Sequence, residues 1–331
     1  MTRKSSTRVT AALLVLAFFL GADYAAWAWA TTRLDRGLGR LQARIAAEGW
    51  RFDDPHRTSA GWPFAARLVL RNASLASADG TVSWSAGRVG IGVSIFRPGV
   101  ITIVADGSQT LRLPGLAPAV IDAQILGLSV SSSHPDAATA IARSLAVHTA
   151  LGTIDVDRAG LTLTWGAGQA HLTLDLAGAQ LPAGAGWPLG RAIGSLTLGL
   201  TASPAWPGGS QSASAASWRD AGGRIAIDRA ALDWGALNAT AKGTARLDPN
   251  LQPAVHLDVR IAGAESAVAA LARSGVLSPG TALAAGAILA VIAAPQPGSD
   301  GALSLPLSLK AGKLTLAHIP IGTVPAIAWP R

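Results

Sequence analysis

The sequence predicts a mainly β, α+β protein. An N-terminal transmembrane helix leads into a large, mostly antiparallel β-sheet domain, a curved sheet or open β-groove with a few packed helices. Three observations predict this. Past residue 60, leucines and valines alternate with small or polar residues at a period of two. A unit ending in Trp-Gly recurs along the chain. A short basic tail followed by a long apolar run opens it.

The composition supports a packed core and excludes several chemistries. Half of the 331 residues are hydrophobic and 14% are charged, far from a disordered composition. The chain has no cysteine, which removes disulfides, thiolate metal sites and cysteine nucleophiles. Arg3, Lys4 and Arg8 against Asp23 account for +2 of the formal +8, so the rest of the chain carries a mild excess. That excess is scattered arginine, without the interleaved stacking aromatics of single-strand binders, and no nucleic-acid partner is expected. It reads as a solvated basic surface, or as weak attraction to anionic lipid.

Residues 1–8 read as a cytoplasmic tail. Residues 9–30 admit two readings. As a signal peptide, the apolar stretch 9–22 is an h-region and Ala28-Trp29-Ala30 a small-x-small cleavage site. As an anchor, a helix over 9–30 is about 33 Å long and crosses a bilayer, with Tyr24, Trp27 and Trp29 at the far interface. Asp23 then lies near the end of the hydrocarbon and has to snorkel outward.

The continuation favours the anchor. In residues 31–50, Leu34, Leu38, Leu41 and Ile45 form one helical stripe and Arg36, Arg40 and Arg44 another, an amphipathic helix running on from the membrane. Arg33, Arg36, Arg40 and Arg44, with Trp27 and Trp29, are the candidate membrane-surface residues, the arginines holding headgroup phosphates. Either way the remainder, 51–331, is exported. The expected location is the inner membrane, single-pass, with the C-terminal domain in the periplasm.

Strands follow from alternation at Val89-Ile91-Val93-Ile95, Leu172-Leu174-Leu176, Leu196-Leu198-Leu200, Leu257-Val259-Ile261, Leu303-Leu305-Leu307-Leu309 and Leu314-Leu316, about a dozen in all by turn spacing. Three stretches read as helices: 135–150 on the spacing of Ala138, Ile141 and Leu145, the Ala-rich 264–273, and 281–294, apolar all round. The last is about 21 Å long, too short to span, and is expected as a buried core helix.

Gly152 to Leu161 aligns with Gly223 to Leu232, and each reaches Trp-Gly shortly after, at Trp165-Gly166 and Trp234-Gly235; Gly312 to Leu316, then Ile321-Gly322, is a weaker third copy. The units near 152–166, 223–235 and 312–322 are each read as strand, turn, strand, with the turn at Asp157-Arg158-Ala159 or Asp228-Arg229-Ala230. A hairpin of this kind cannot bury its apolar face alone and stacks on neighbours.

Gly61-Trp62-Pro63-Phe64, the segment from Trp218 through Ile225, and Leu232-Asp233-Trp234-Gly235 followed by Lys242-Gly243 and Leu247-Asp248 resemble an uncharacterised family of Gram-negative membrane-anchored proteins, domain of unknown function 2125. The resemblance covers nearly the whole chain. Gly61, Trp62, Pro63, Phe64, Trp165, Trp218, Trp234 and Gly235 are the motif residues. More loosely the strand-rich units are similar to AsmA-like periplasmic proteins, which implies an anchored β-groove associated with lipid movement or envelope upkeep. At 331 residues the chain is too short to bridge an envelope alone. The resemblance supplies no catalytic residues.

No active site is legible. The six histidines, His56, His134, His148, His171, His256 and His318, lack ligand spacing. Ser133-His134-Pro135-Asp136 holds triad residue types in an order that neighbouring side chains cannot use. The Gly87 to Gly92 stretch lies inside a strand pattern and is not a dinucleotide loop. Asp53-Asp54 is the one adjacent carboxylate pair, solvated or a weak cation site. Four Trp-Pro pairs, Trp62-Pro63, Trp187-Pro188, Trp206-Pro207 and Trp329-Pro330, are rigid turns that cover sheet ends or touch lipid. The expectation is therefore a non-enzymatic, cofactor-free, metal-free envelope protein that binds or handles membrane lipid, with possible envelope protein partners. The alternative is a structural or assembly module with a closed β-sandwich core and protein partners only.

Overall fold

The computed structural model describes residues 3–94, 96–184, 186–207, 212–275, 280, 303–317, 319–327 and 329. It divides into two compact units, residues 1–121 with 125–135, and residues 122–124 with 136–331.

The first unit begins with α1 (Arg3–Ala47), one helix through both the expected anchor and the amphipathic segment. Nothing in the sequence interrupts it, since the first proline is Pro55. Among the described residues no helix is long and apolar enough to cross a membrane. The first part of the expected anchor, 9–16, lies outside the residues whose side chains are described.

Six strands follow: β1 (Trp50–Asp53), β2 (His56–Ala60), β3 (Ala65–Ser77), β4 (Ser83–Ser94), β5 (Arg97–Arg112) and β6 (Ala119–Ser131). Their order is β1-β3-β4-β5-β6, with β2 paired to β3 beyond the end of β1. Alternation works as expected. Val89 and Ile91 point to the same face as Leu68, Leu70, Ala73 and Ala86, and there Leu34 and Leu38 of α1 pack onto them. Leu41 of the same stripe remains exposed.

The second unit is a meander of β7 (His134–Thr149), β8 (Gly152–Gly166), β9 (Gln169–Gln180), β10 (Ala192–Ser203), β11 (Arg224–Trp234), β12 (Leu237–Leu247), β13 (Pro253–Ala262), β14 (Leu303–Lys310), β15 (Lys313–Leu316) and β16 (Ile319–Thr323). Each pairs antiparallel with the next. Helices α2 (Ser212–Asp220) and α3 (Ala264–Arg273) are inserted between strands. Among the described residues the sheet order in neither unit closes on itself.

Two expectations are corrected. The stretch expected as a helix over 135–150 is instead β7, His134–Thr149, with Ala150 in the following turn: Ala138, Ala140 and Ala142 alternate opposite Leu163, Leu161 and Ala159, and alanine fits either period. The turns expected at Asp157-Arg158-Ala159 and Asp228-Arg229-Ala230 lie inside single long strands. In the second copy the register with β12 passes from Ile227↔Gly243 to Ala230↔Ala241, so two residues oppose Lys242 in a β-bulge. In these two copies the unit is thus one long strand ending at Trp-Gly beside a hairpin turn, whereas the third, 312–322, forms two paired strands, β15 and β16, as expected. The helix expected over 264–273 is α3; that over 281–294 lies outside the described residues.

Candidate functional site

Two features assemble from these elements. The first is the junction of α1 with its sheet. Trp27 is half-buried and its Nε1 donates to the carbonyl of Ala65 at 3.0 Å and, more weakly, to that of Ala60 at 3.4 Å. Asp23, one turn earlier, shares that helix face. One of its carboxylate oxygens is shielded without a partner. Further along the helix, Arg57 donates to Asp35 at 2.5 Å and to Asp54 at 2.7 Å, while Gln42 donates to Asp54 at 3.1 Å. Burial alone would lower the Arg57 pKa, but the hydrogen bonds and charges of both aspartates outweigh it and raise it. Asp54 is therefore paired with Arg57 and neither solvated nor free for a cation, while Asp53 stays exposed, as the solvated reading expects.

Arg33, Arg36, Arg40 and Arg44 lie on the exposed side of α1. The Arg33 guanidinium sits 4.5 Å over the ring of exposed Trp29. Of the six candidate surface residues, five point outward, and Trp27 instead fastens helix to sheet.

The second feature is a leucine-rich face of the second unit. Paired residues in successive strands give three parallel rows. One runs Ala140, Leu161, Leu174, Leu198, Ala230, Ala241, Val259, Leu305. The next runs Ala138, Leu163, Leu172, Leu200, Ile227, Gly243, Leu257, Leu307. The third runs Ala142, Ala159, Leu176, Leu196, Leu232, Ala239, Ile261. The other face is polar, with Thr173, Asp175, Lys242 and Asp258 between them. At its C-terminal end α3 covers the face, Val268 and Ala264 packing with Leu305, Ile261 and Leu316. Across β8–β11 the leucines are half-buried, and among the described residues neither buried cluster includes them.

The tryptophan motifs frame this sheet. Trp234 Nε1 donates to the Gly190 carbonyl at 2.8 Å, with Trp187 6.4 Å away. Gly235 holds φ 59, and a Cβ there would collide with the Leu189 carbonyl, which makes glycine obligatory after Trp234. Trp218 is buried, donates to the Pro204 carbonyl at 2.8 Å and lies 5.5 Å from Trp206, which stacks on Trp329 at 6.0 Å. Trp165 stands partly exposed at the end of β8. These rings cap strand ends and hold connections to them.

Among the described residues no group of histidines and carboxylates could hold a metal ion. His148 meets Asp122 at 3.1 Å on an exposed surface, and His134 Nδ1 lies 3.0 Å from its neighbour Ser133 Oγ, equally exposed. His318 lies outside the described residues. Sequence reasoning missed the Arg57 clasp, because its partners are distant in the chain and single charges carry no periodic signal.

A family model described as "Uncharacterized protein conserved in bacteria (DUF2125)" matches residues 27–325. No curated protein and no solved structure matches.

Proposed function

This chain belongs to the DUF2125 family, and we propose that it is an inner-membrane-anchored envelope protein whose second unit binds acyl chains of membrane lipid on its leucine-rich sheet face. The observation that carries this reading is the run of half-buried leucines across β8–β11. Apolar surface in contiguous patches beyond a few hundred Å² is normally covered or used. An acyl chain laid along the rows gains about 0.8 kcal/mol per methylene removed from water. The apolar run before Asp23 would tether the chain, placing both units in the periplasm. The looser resemblance to AsmA-like proteins points the same way.

Native mass spectrometry of the detergent-extracted full chain, with lipid identification, tests it. Co-purified phospholipid is expected in repeated preparations; recovery free of lipid each time overturns the reading. A second reading has its own support. Because α3 already covers the β13–β15 end of the face, the rest of the face could be sealed by apolar protein, from this chain or a partner. The module would then be structural, and lipid would be absent from the spectra.

A further inference from the structure

The first unit has one end dressed in exposed aromatics. The Gly61 to Phe64 loop enters β3, and the turn containing Phe96 joins β4 to β5; the register Ala65↔Ser94↔Arg97 places both at the same end of the sheet. Trp62 is 45% exposed, Phe64 63% and Phe96 77%. The loop is built to present its rings. Gly61 takes φ 96, and a Cβ there would stand 2.6 Å from the Ala65 carbonyl, while the Ala65 N–H closes the loop onto the Gly61 carbonyl at 2.8 Å.

Helix α1 leaves the sheet at this same end. Trp27 is bonded to Ala60 and Ala65, Tyr24 meets Trp62 edge-on at 6.4 Å, and beyond them Phe18, Phe19 and Leu20 are exposed. Thus the apolar helix emerges where three further rings and the exposed Arg97 gather. Trp62 and Tyr24, each an apolar ring with a polar handle, beside a cation, match the headgroup boundary of a bilayer, and Phe64 and Phe96 add purely apolar area there.

We infer that this end of the first unit, through Trp62, Phe64 and Phe96, is seated in the lipid interface, so that the unit is docked on the membrane and not merely tethered above it. The inference rests on the anchor in the proposed function. It also sorts the arginines: at 1.5 Å per residue, Arg36 and Arg44 stand roughly 18 and 30 Å along the helix from Tyr24, outside a headgroup layer only about 5–7 Å deep.

The chain lacks cysteine, so single-cysteine variants of the full protein can be labelled with an environment-sensitive fluorophore and reconstituted in vesicles of phosphatidylethanolamine and phosphatidylglycerol carrying doxyl-labelled lipid. Labels go on Leu14→Cys in the anchor, Phe64→Cys and Phe96→Cys at the aromatic end, and Leu116→Cys in the exposed loop after β5, at the opposite end of the sheet. All three loop positions are exposed, so folding is not at stake. Quenching of at least twofold at 14, 64 and 96, with none at 116, is expected. Quenching at 14 alone overturns the docking and leaves the anchor standing; no quenching at 14 overturns the anchor itself. Equal quenching at 116 also defeats the inference. Blue-shifted but unquenched labels at 64 and 96 would assign the surface to protein, a second copy or another chain, and overturn it likewise.

Discussion

At the scale of single residues, the junction of helix and sheet rests on a few polar contacts in an otherwise apolar seam. Trp27→Phe keeps the ring and removes the N–H that reaches Ala65, and should cost about 1 kcal/mol in chemical denaturation; an unchanged midpoint would mean that the bond contributes nothing. Arg57→Met leaves Asp35 and Asp54 without their shared cation. Since Asp35 is about half exposed, water offsets part of the loss, and a destabilisation of roughly 1–2 kcal/mol is expected by the same measurement. Asp79 supplies a pH signature. The Ser77 hydroxyl, then the backbone N–H and hydroxyl of Thr81, donate to its carboxylate and hold its pKa below the ordinary 3.8. A depressed pKa means stability that is complete above 3.8 and fades as the pH falls through the lower folded value. Melting of the wild type and of Asp79→Asn should differ at pH 7 and converge in strong acid; a gap that persists at low pH would contradict this.

At the scale of elements, Trp-Gly and Gly-Trp-Pro-Phe are devices of turn geometry. Gly61→Ala forces a side chain against the Ala65 carbonyl at a positive φ, and about 1–3 kcal/mol of stability should be lost. Circular dichroism melts check this, and a neutral result would remove the argument that the loop is rigidly presented. The strands were legible where leucine alternates with threonine and aspartate, as in β9, and where Leu257, Val259 and Ile261 alternate with Asp258 and Arg260, as in β13, because only one period fits. They were illegible where alanine fills both kinds of position, as in β7, since a methyl group suits a helix and a pleated face equally. The bulge at Asp228 resembles a turn in the sequence for a related reason: aspartate favours turns, and nothing local distinguishes a chain reversal from one extra residue in a ladder. Helix α2 is too short for a clear periodic signal and is marked in the fold by the burial of Ala215 and Trp218.

On the scale of the whole molecule, the leucine rows are the feature with functional reach. Their existence was readable from the sequence, because alternation commits every second side chain to one face. What occupies that face was not, because occupancy depends on what packs against the sheet from outside. The same holds for the aromatic end of the first unit, where Trp62 and Phe64 come from one loop and Phe96 from another, and only strand register unites them. The most direct measurement of the central claim is residue-resolved crosslinking in membranes. A benzophenone amino acid replaces either Leu198, on the leucine face, or Thr197, which turns to the other face and bonds to Asp175. After irradiation of cells, phospholipid covalently attached at position 198 and not at 197 is the result the account predicts. Crosslinks from 198 to protein alone, or equal lipid labelling at both positions, would contradict it.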